Sequence, residues 1–145
     1  MGLFGMLNKV SGYSEENMTK SFHEILPAIA SKALCSVGVS LKTKTLLRSK
    51  SIASGFAAIT DTNLLVVYTV IPIKSAAIYV FNLPKKLIIK NHVANQKIVE
   101  GKLFNIHSQE FDDLLLQIAP KIEAFPHQES NLEYFISILE SHKTE

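Results

Sequence analysis

The stretch Gly55-Phe56-Ala57-Ala58-Ile59-Thr60-Asp61-Thr62-Asn63-Leu64-Leu65-Val66-Val67-Tyr68-Thr69-Val70-Ile71 decides the fold. Its two halves, Gly55 to Thr60 and Leu64 to Ile71, are rich in β-branched and aromatic residues and read as strands. Between them stands Asp61-Thr62-Asn63. Asp and Asn side chains bond the local backbone and tolerate the left-handed region, so these residues predict a tight turn joining two antiparallel strands. Pro72 ends the second run because it has no N–H to give to a ladder.

The same two-residue period extends outward. Ala33, Cys35, Val37, Val39 and Leu41 alternate with Leu34, Ser36, Gly38 and Ser40, which predicts a half-buried strand. Lys42 to Ser54 reads as a basic polar connection. Downstream, Ser75 to Leu83 and Lys86 to Lys90 are strands separated near Pro84, Asn91 to Asn95 is a turn, and Gln96 to Ile106 is a further strand. Short strands with hairpin-like connections predict an antiparallel barrel or sandwich.

Helical periods flank this block. Met18, Phe22, Ile25, Leu26 and Ile29 mark a helix over Ser14 to Ile25, with Ser14 as N-cap and a stop near Leu26 imposed by Pro27. After the strands, Phe111, Leu114, Leu115 and Ile118 predict a helix from Ser108 to Ala119, with Asp112 and Asp113 facing away. Ala124 to Glu129 reads as a linker. Ser130 and Glu133 then form an S-x-x-E capping-box pattern for a last helix, Ser130 to Lys143. The expected class is α+β: a bent antiparallel barrel or sandwich of six to seven strands, an N-terminal helix, one helix capping the barrel and a further C-terminal helix. One domain is expected over 1–145, with an N-terminal arm at 1–13, a core at 14–123 and an additional helix at 130–143.

Charge is sorted along the chain more sharply than its net +2 suggests. Ile25 to Val99 holds ten cations against the single acid Asp61, whereas Glu100 to Glu145 holds nine acids against Lys102, Lys121 and Lys143. The densest run is Lys42-Thr43-Lys44-Thr45-Leu46-Leu47-Arg48-Ser49-Lys50, with four cations, no acid and the only arginine of the chain. Arg offers a planar fork for phosphate or carboxylate and Lys a mobile point charge, so Lys42, Lys44, Arg48 and Lys50 are the candidate anion-binding residues. Lys85, Lys86 and Lys90 form a second basic cluster, read as a solvated sheet face because no aromatics are interleaved for base stacking.

Several function classes lose support. The histidines His23, His92, His107, His127 and His142 lack ligand spacing, and lone Cys35 sits on the apolar phase of its strand. No nucleophile elbow or phosphate-cradling glycine loop occurs, so neither an enzyme nor a cofactor or metal is expected. Adjacent Asp112 and Asp113 would splay by about 100° on a helix and form no acid–base pair. The apolar N-terminus, Met1-Gly2-Leu3-Phe4-Gly5-Met6-Leu7, lacks the basic leader of a secretory signal, and Met6 replaces the Ser or Thr of a myristoylation signal.

These features together resemble the bacterial pleckstrin-homology-like family. Its signature is a Gly-containing strand ending in a T-[DN]-x-[RN]-L-L turn, filled here by Thr60-Asp61-Thr62-Asn63-Leu64-Leu65. An aromatic step into a basic strand follows, here Phe81-Asn82-Leu83-Pro84-Lys85-Lys86-Leu87-Ile88-Ile89-Lys90, and Met1-Gly2-Leu3-Phe4 is a similar opening. The resemblance spans Ser14 to Glu123. Asn63 stands where members usually carry Arg, so no role of that Arg is transferred. The resemblance implies a bent barrel closed at one end by a helix, expected to be Ser108 to Ala119, and assemblies of identical subunits. In eukaryotic pleckstrin-homology domains a basic loop between the first two strands binds inositol phosphates, and Lys42 to Lys50 holds a similar position. The resulting expectation is a cytoplasmic, self-associating interaction module. The alternative is a peripheral binder of anionic lipid or a phosphorylated ligand, with an anionic membrane surface or acidic protein as partner. Nucleic acid is not expected.

Overall fold

The structure, a computed structural model, describes residues 12–42, 51–71, 76–83 and 87–143, the side chains at 51, 52 and 143 aside. Helix α1 (Glu15–Ile25) runs into a 3-10 turn (Leu26–Ile29), then come β1 (Ala33–Lys42), β2 (Ser51–Thr60), β3 (Leu64–Ile71) and β4 (Ala77–Asn82). Strand β5 (Ile88–Asn91), a short 3-10 turn (Val93–Asn95), β6 (Lys97–Asn105), β7 (Glu110–Ile118) and helix α2 (Gln128–Lys143) complete the order. All strand pairs are antiparallel, in the sheet order β4-β3-β2-β1-β7-β6-β5. A pairing of Phe81 with Asn105 joins β4 to β6 and closes six strands into a barrel. Strand β5 pairs with the first half of β6, on the edge that β4 meets at Asn105. The expected α+β barrel is therefore the fold.

The turn that decided the reading forms as expected. Thr60 Oγ1 accepts from the Thr62 and Leu64 N–H groups at 3.2 and 3.1 Å. Asn63 takes φ 63°, the left-handed region that its short polar side chain tolerates. Asp61 also ties the turn to the start of β1: its Oδ1 accepts from Lys32 N–H at 2.9 Å, and its own N–H donates to Lys32 C=O at 2.9 Å.

Side chains alternate between two cores. Cys35, Val37, Val39, Ala57, Ile59, Leu65, Val67, Val99, Leu103, Leu114, Leu116 and Ile118 point into the barrel. On the outer face of β2 and β3, Phe56, Ala58 and Val66 meet Met18, Phe22 and Leu26 from α1. Ser14 caps α1 by accepting from Asn17 N–H at 3.2 Å, and the helix yields to the 3-10 turn at Leu26, just ahead of Pro27. No described helix is long and apolar enough to cross a membrane.

The expected helix Ser108 to Ala119 is instead strand β7. Leu114, Leu116 and Ile118 are buried at a two-residue period, and β7 pairs with β6 from Lys97↔Ile118 to Asn105↔Glu110. Phe111 and Leu115 had completed an apparent helical stripe, but Phe111 is 63% exposed and packs edge-on against Phe104 across the hairpin. Asn105 sets the hairpin: its Oδ1 accepts from His107 N–H at 2.9 Å, its C=O accepts from Gln109 N–H at 2.8 Å, and Gln109 takes φ 58°.

Two further corrections follow. The element that closes the barrel is the last helix, α2, whose Leu132, Phe135 and Leu139 join the barrel core. It is thus no addition to a core ending at residue 123, and there is one C-terminal helix, not two. It begins at Gln128, so Ser130 is no cap; its hydroxyl donates to His127 C=O at 3.2 Å inside the first turn. The supposed linker holds two buried side chains, Phe125 and Gln128, at 3% and 1% exposure. Strand β2 also starts earlier than expected, at Ser51 instead of Gly55, with a register shift between Ser54 and Gly55.

Candidate anion-binding face

Of the four candidate residues, Lys42 is described; Lys44, Arg48 and Lys50 lie outside the described residues. Lys42 ends β1, paired with Ser51 of β2 on one side and Leu115 of β7 on the other. Lys42 and Ser51, the described residues on either side of 43–50, therefore lie side by side. No carboxylate of the described residues forms an ion pair with Lys42.

Lys42 stands at the edge of a groove on the outer face of β1, with a volume of about 430 Å³. Residues at even positions of β1 point outward, which brings Gly38, Ser40 and Lys42 onto this face. Ser54 lies opposite Ser40 on β2, and Gln117 opposite Ser40 on β7. Tyr13, Gln96, Ala119 and Ile122 complete the lining. Gln117 Nε2 donates to Gln96 Oε1, and the Tyr13 hydroxyl donates to Val39 C=O at 3.3 Å. Burial pushes the Tyr13 phenol up to about 12, so it stays a neutral donor. Among the described residues neither Asp nor Glu lines the groove.

The sequence missed this groove because its parts come from five separate segments. Only the polar end of β1, Ser40-x-Lys42, signals that the outer face is polar there.

The remaining titratable groups do not converge on it. Lys90 pairs with Glu100 at 2.8 Å, while Lys85 and Lys86 lie outside the described residues. His127 Nδ1 meets Glu15 Oε2 at 2.6 Å, and Glu15 Oε1 accepts from His127 N–H at 2.8 Å, tying α1 to the start of α2. Cys35 is buried, and burial raises its thiol to about 12, as expected of a core residue. Among the described residues no three His, Cys, Asp or Glu side chains are placed to hold a metal. A second, more apolar groove of about 660 Å³ runs between α1 and the start of β1, lined by Phe22, Leu26, Ala30 and Ala33 with His23, Lys32 and Asp61 at its rim.

The solvent face of α2 has the opposite charge. Glu129, Glu133 and Glu140 are exposed, and at about 100° per residue they fall within roughly 40° around the helix axis. Gln128 at the head of α2 is bonded to Gly38, while Lys42 lies four residues further along β1, about 13 Å away at strand rise. Compared with known proteins, the chain matches no family model and no curated relative.

Proposed function

We propose that this chain is a non-enzymatic, cytoplasmic interaction module of the bacterial pleckstrin-homology type that associates with copies of itself. The observation carrying the reading is the separation of charge along β1. The acidic stripe of α2 belongs to the part of the barrel anchored at Gly38, and the basic connection departs from Lys42. Unlike surfaces at two places on one subunit favour head-to-tail contact between copies, which closes into a ring or extends as a filament.

Light scattering over a concentration series tests this. A discrete oligomer is expected at low salt, dissociating at roughly 1 M salt, where the Debye length falls to about 3 Å. Lys44→Glu with Arg48→Glu should weaken assembly, as should Glu129→Lys with Glu133→Lys, and mixing the two charge-reversed proteins should restore it. A monomer at every concentration would rule the reading out.

The absence, among the described residues, of an acidic partner for Lys42 favours a second reading, a peripheral binder of anionic surfaces through Lys42, Lys44, Arg48 and Lys50. Cations near an anionic leaflet contribute about 1 kcal/mol each, so four would give measurable recruitment. Pelleting with anionic vesicles should then be lost in high salt and on reversal of Lys44 and Arg48; salt-insensitive pelleting contradicts it.

A further inference from the structure

We infer that the groove on the outer face of β1 is a binding site for a small anionic sugar: a monosaccharide carrying one phosphate or one carboxylate. The inference goes beyond self-association and, among the described residues, takes Lys42 alone from the basic connection.

The chemistry of the lining selects this class. Sugar hydroxyls need a concave array of neutral groups that both donate and accept, which hydroxyls and side-chain amides supply. Here Ser40, Ser54, Gln96 and Gln117 form that array, with the Tyr13 hydroxyl beside it. The pairings Ser40↔Ser54 and Ser40↔Gln117 hold the three groups side by side on adjacent strands, on a rigid sheet face. The hydroxyls of Ser40 and Ser54 make no side-chain hydrogen bond among the described residues, so both are available to a ligand. Gly38 adds no side chain to the floor, and Tyr13 gives an aromatic wall.

Charge sets the second requirement. Among the described residues one cation, Lys42, lines the groove and no acid does. A single point charge among neutral donors matches a ligand with one charged group, and a lone lysine would not neutralise a polyanion. The volume of about 430 Å³ falls within the range of about 300–1,000 Å³ typical of small-molecule sites.

Titration of the full chain, followed by amide chemical shifts, tests the site with five probes: glucose 6-phosphate, glucuronate, glucose, inorganic phosphate and inositol hexakisphosphate. Glucose 6-phosphate and glucuronate distinguish a phosphate from a carboxylate as the anionic group. At least one should bind about tenfold or more tighter than both glucose and inorganic phosphate, because charge and hydroxyl contacts act together. The shifts should centre on Ser40, Ser54 and Gln117. Ser40→Ala and Ser54→Ala should each weaken binding about fivefold, the loss of one neutral hydrogen bond. Lys42→Met should reduce the anionic sugar to the affinity of glucose, and Lys42→Arg should retain the preference. Lys44→Glu with Arg48→Glu, which abolishes recruitment to vesicles in the second reading above, should leave the preference for an anionic sugar over glucose in place.

Equal affinity for inorganic phosphate and glucose 6-phosphate, with no response to glucuronate, overturns the inference. So does tighter binding of inositol hexakisphosphate that survives Lys44→Glu with Arg48→Glu, or binding insensitive to both serine changes. Should either serine variant melt early, Gln117→Glu decides the matter: a like charge facing the ligand must weaken both anionic sugars more than it weakens glucose.

Discussion

Gly38 and Gln128, 90 residues apart, are joined amide to amide: Gly38 N–H donates to Gln128 Oε1 at 3.0 Å, and Gln128 Nε2 donates back to Gly38 C=O at 2.9 Å. Strand β7 pairs with β1 only from Ser40 to Lys42, so the backbone of Gly38 has lost its strand partner on that side. The Gln128 side chain takes the place of the missing strand. Its Nε2 also donates at 2.9 Å to the C=O of Ala119, the residue following β7. One glutamine thus satisfies the end of one ladder, the exit of another and the docking of the helix that closes the barrel.

Gln128→Met keeps the length of the side chain and removes every hydrogen bond. It leaves buried donors and acceptors unpaired, and the expected loss is about 3 kcal/mol in urea denaturation. A change below about 0.5 kcal/mol, the scale of an ordinary surface substitution, would show that the amide pair contributes nothing.

Two glycines are expected to respond differently to alanine. A Cβ on Gly55 would lie 2.1 Å from the Tyr68 carbonyl oxygen, and one on Gly38 would lie 2.9 Å from Cε2 of the Phe125 ring. Backbone cannot move aside cheaply, whereas a ring edge can shift. Gly55→Ala should therefore be the more damaging, with Gly38→Ala costing about 1–3 kcal/mol. Adding Phe125→Leu to Gly38→Ala should recover part of that loss, read as a coupling energy in a double-mutant cycle.

Cys35 and Tyr13 predict a fall in stability at alkaline pH. Burial holds the Cys35 thiol and the Tyr13 phenol near 12 in the folded chain, above their ordinary values. Between those ordinary values and about 12 the unfolded chain gives up the protons and the folded chain keeps them, so stability is full below that window and declines as pH rises through it. The urea midpoint should drop between pH ~8 and pH ~10.5, and less steeply in Cys35→Ala. A thiol reagent should label native Cys35 only as fast as the chain opens. Rapid stoichiometric labelling at neutral pH would contradict its burial.

Helix α2 should prove indispensable. Phe135→Ala empties a fully buried position in the barrel core, for an expected cost of about 3–5 kcal/mol. Truncation after residue 127 removes Leu132, Phe135 and Leu139 together and should abolish cooperative unfolding, as followed by circular dichroism. A truncated chain that melts cooperatively would make the helix an appendage after all.

Local chemistry settled much of the architecture. The Asp61-Thr62-Asn63 turn, the strands beside it, the stop at Pro27 and the core placement of Cys35 follow from backbone preference and two-residue or helical periods, and each takes that form in the structure. The segment Glu110 to Ile118 was open to either period, because Phe111, Leu114, Leu115 and Ile118 fit a helix while Leu114, Leu116 and Ile118 fit a strand. Nine register partners on β6 chose the strand, a choice made by residues remote from the segment. With that segment in the sheet, the barrel end fell to α2, and Gln128 and Phe125 turned from linker residues into buried ones.

The basic run from Lys42 to Lys50 was legible as charge, since charge is a property of composition. The groove beside it was not. Ser40, Ser54, Gln96 and Gln117 are unremarkable polar residues until strand pairing sets them on one face, and hydrogen-bond register between distant segments is the physical quantity that a linear chain does not display.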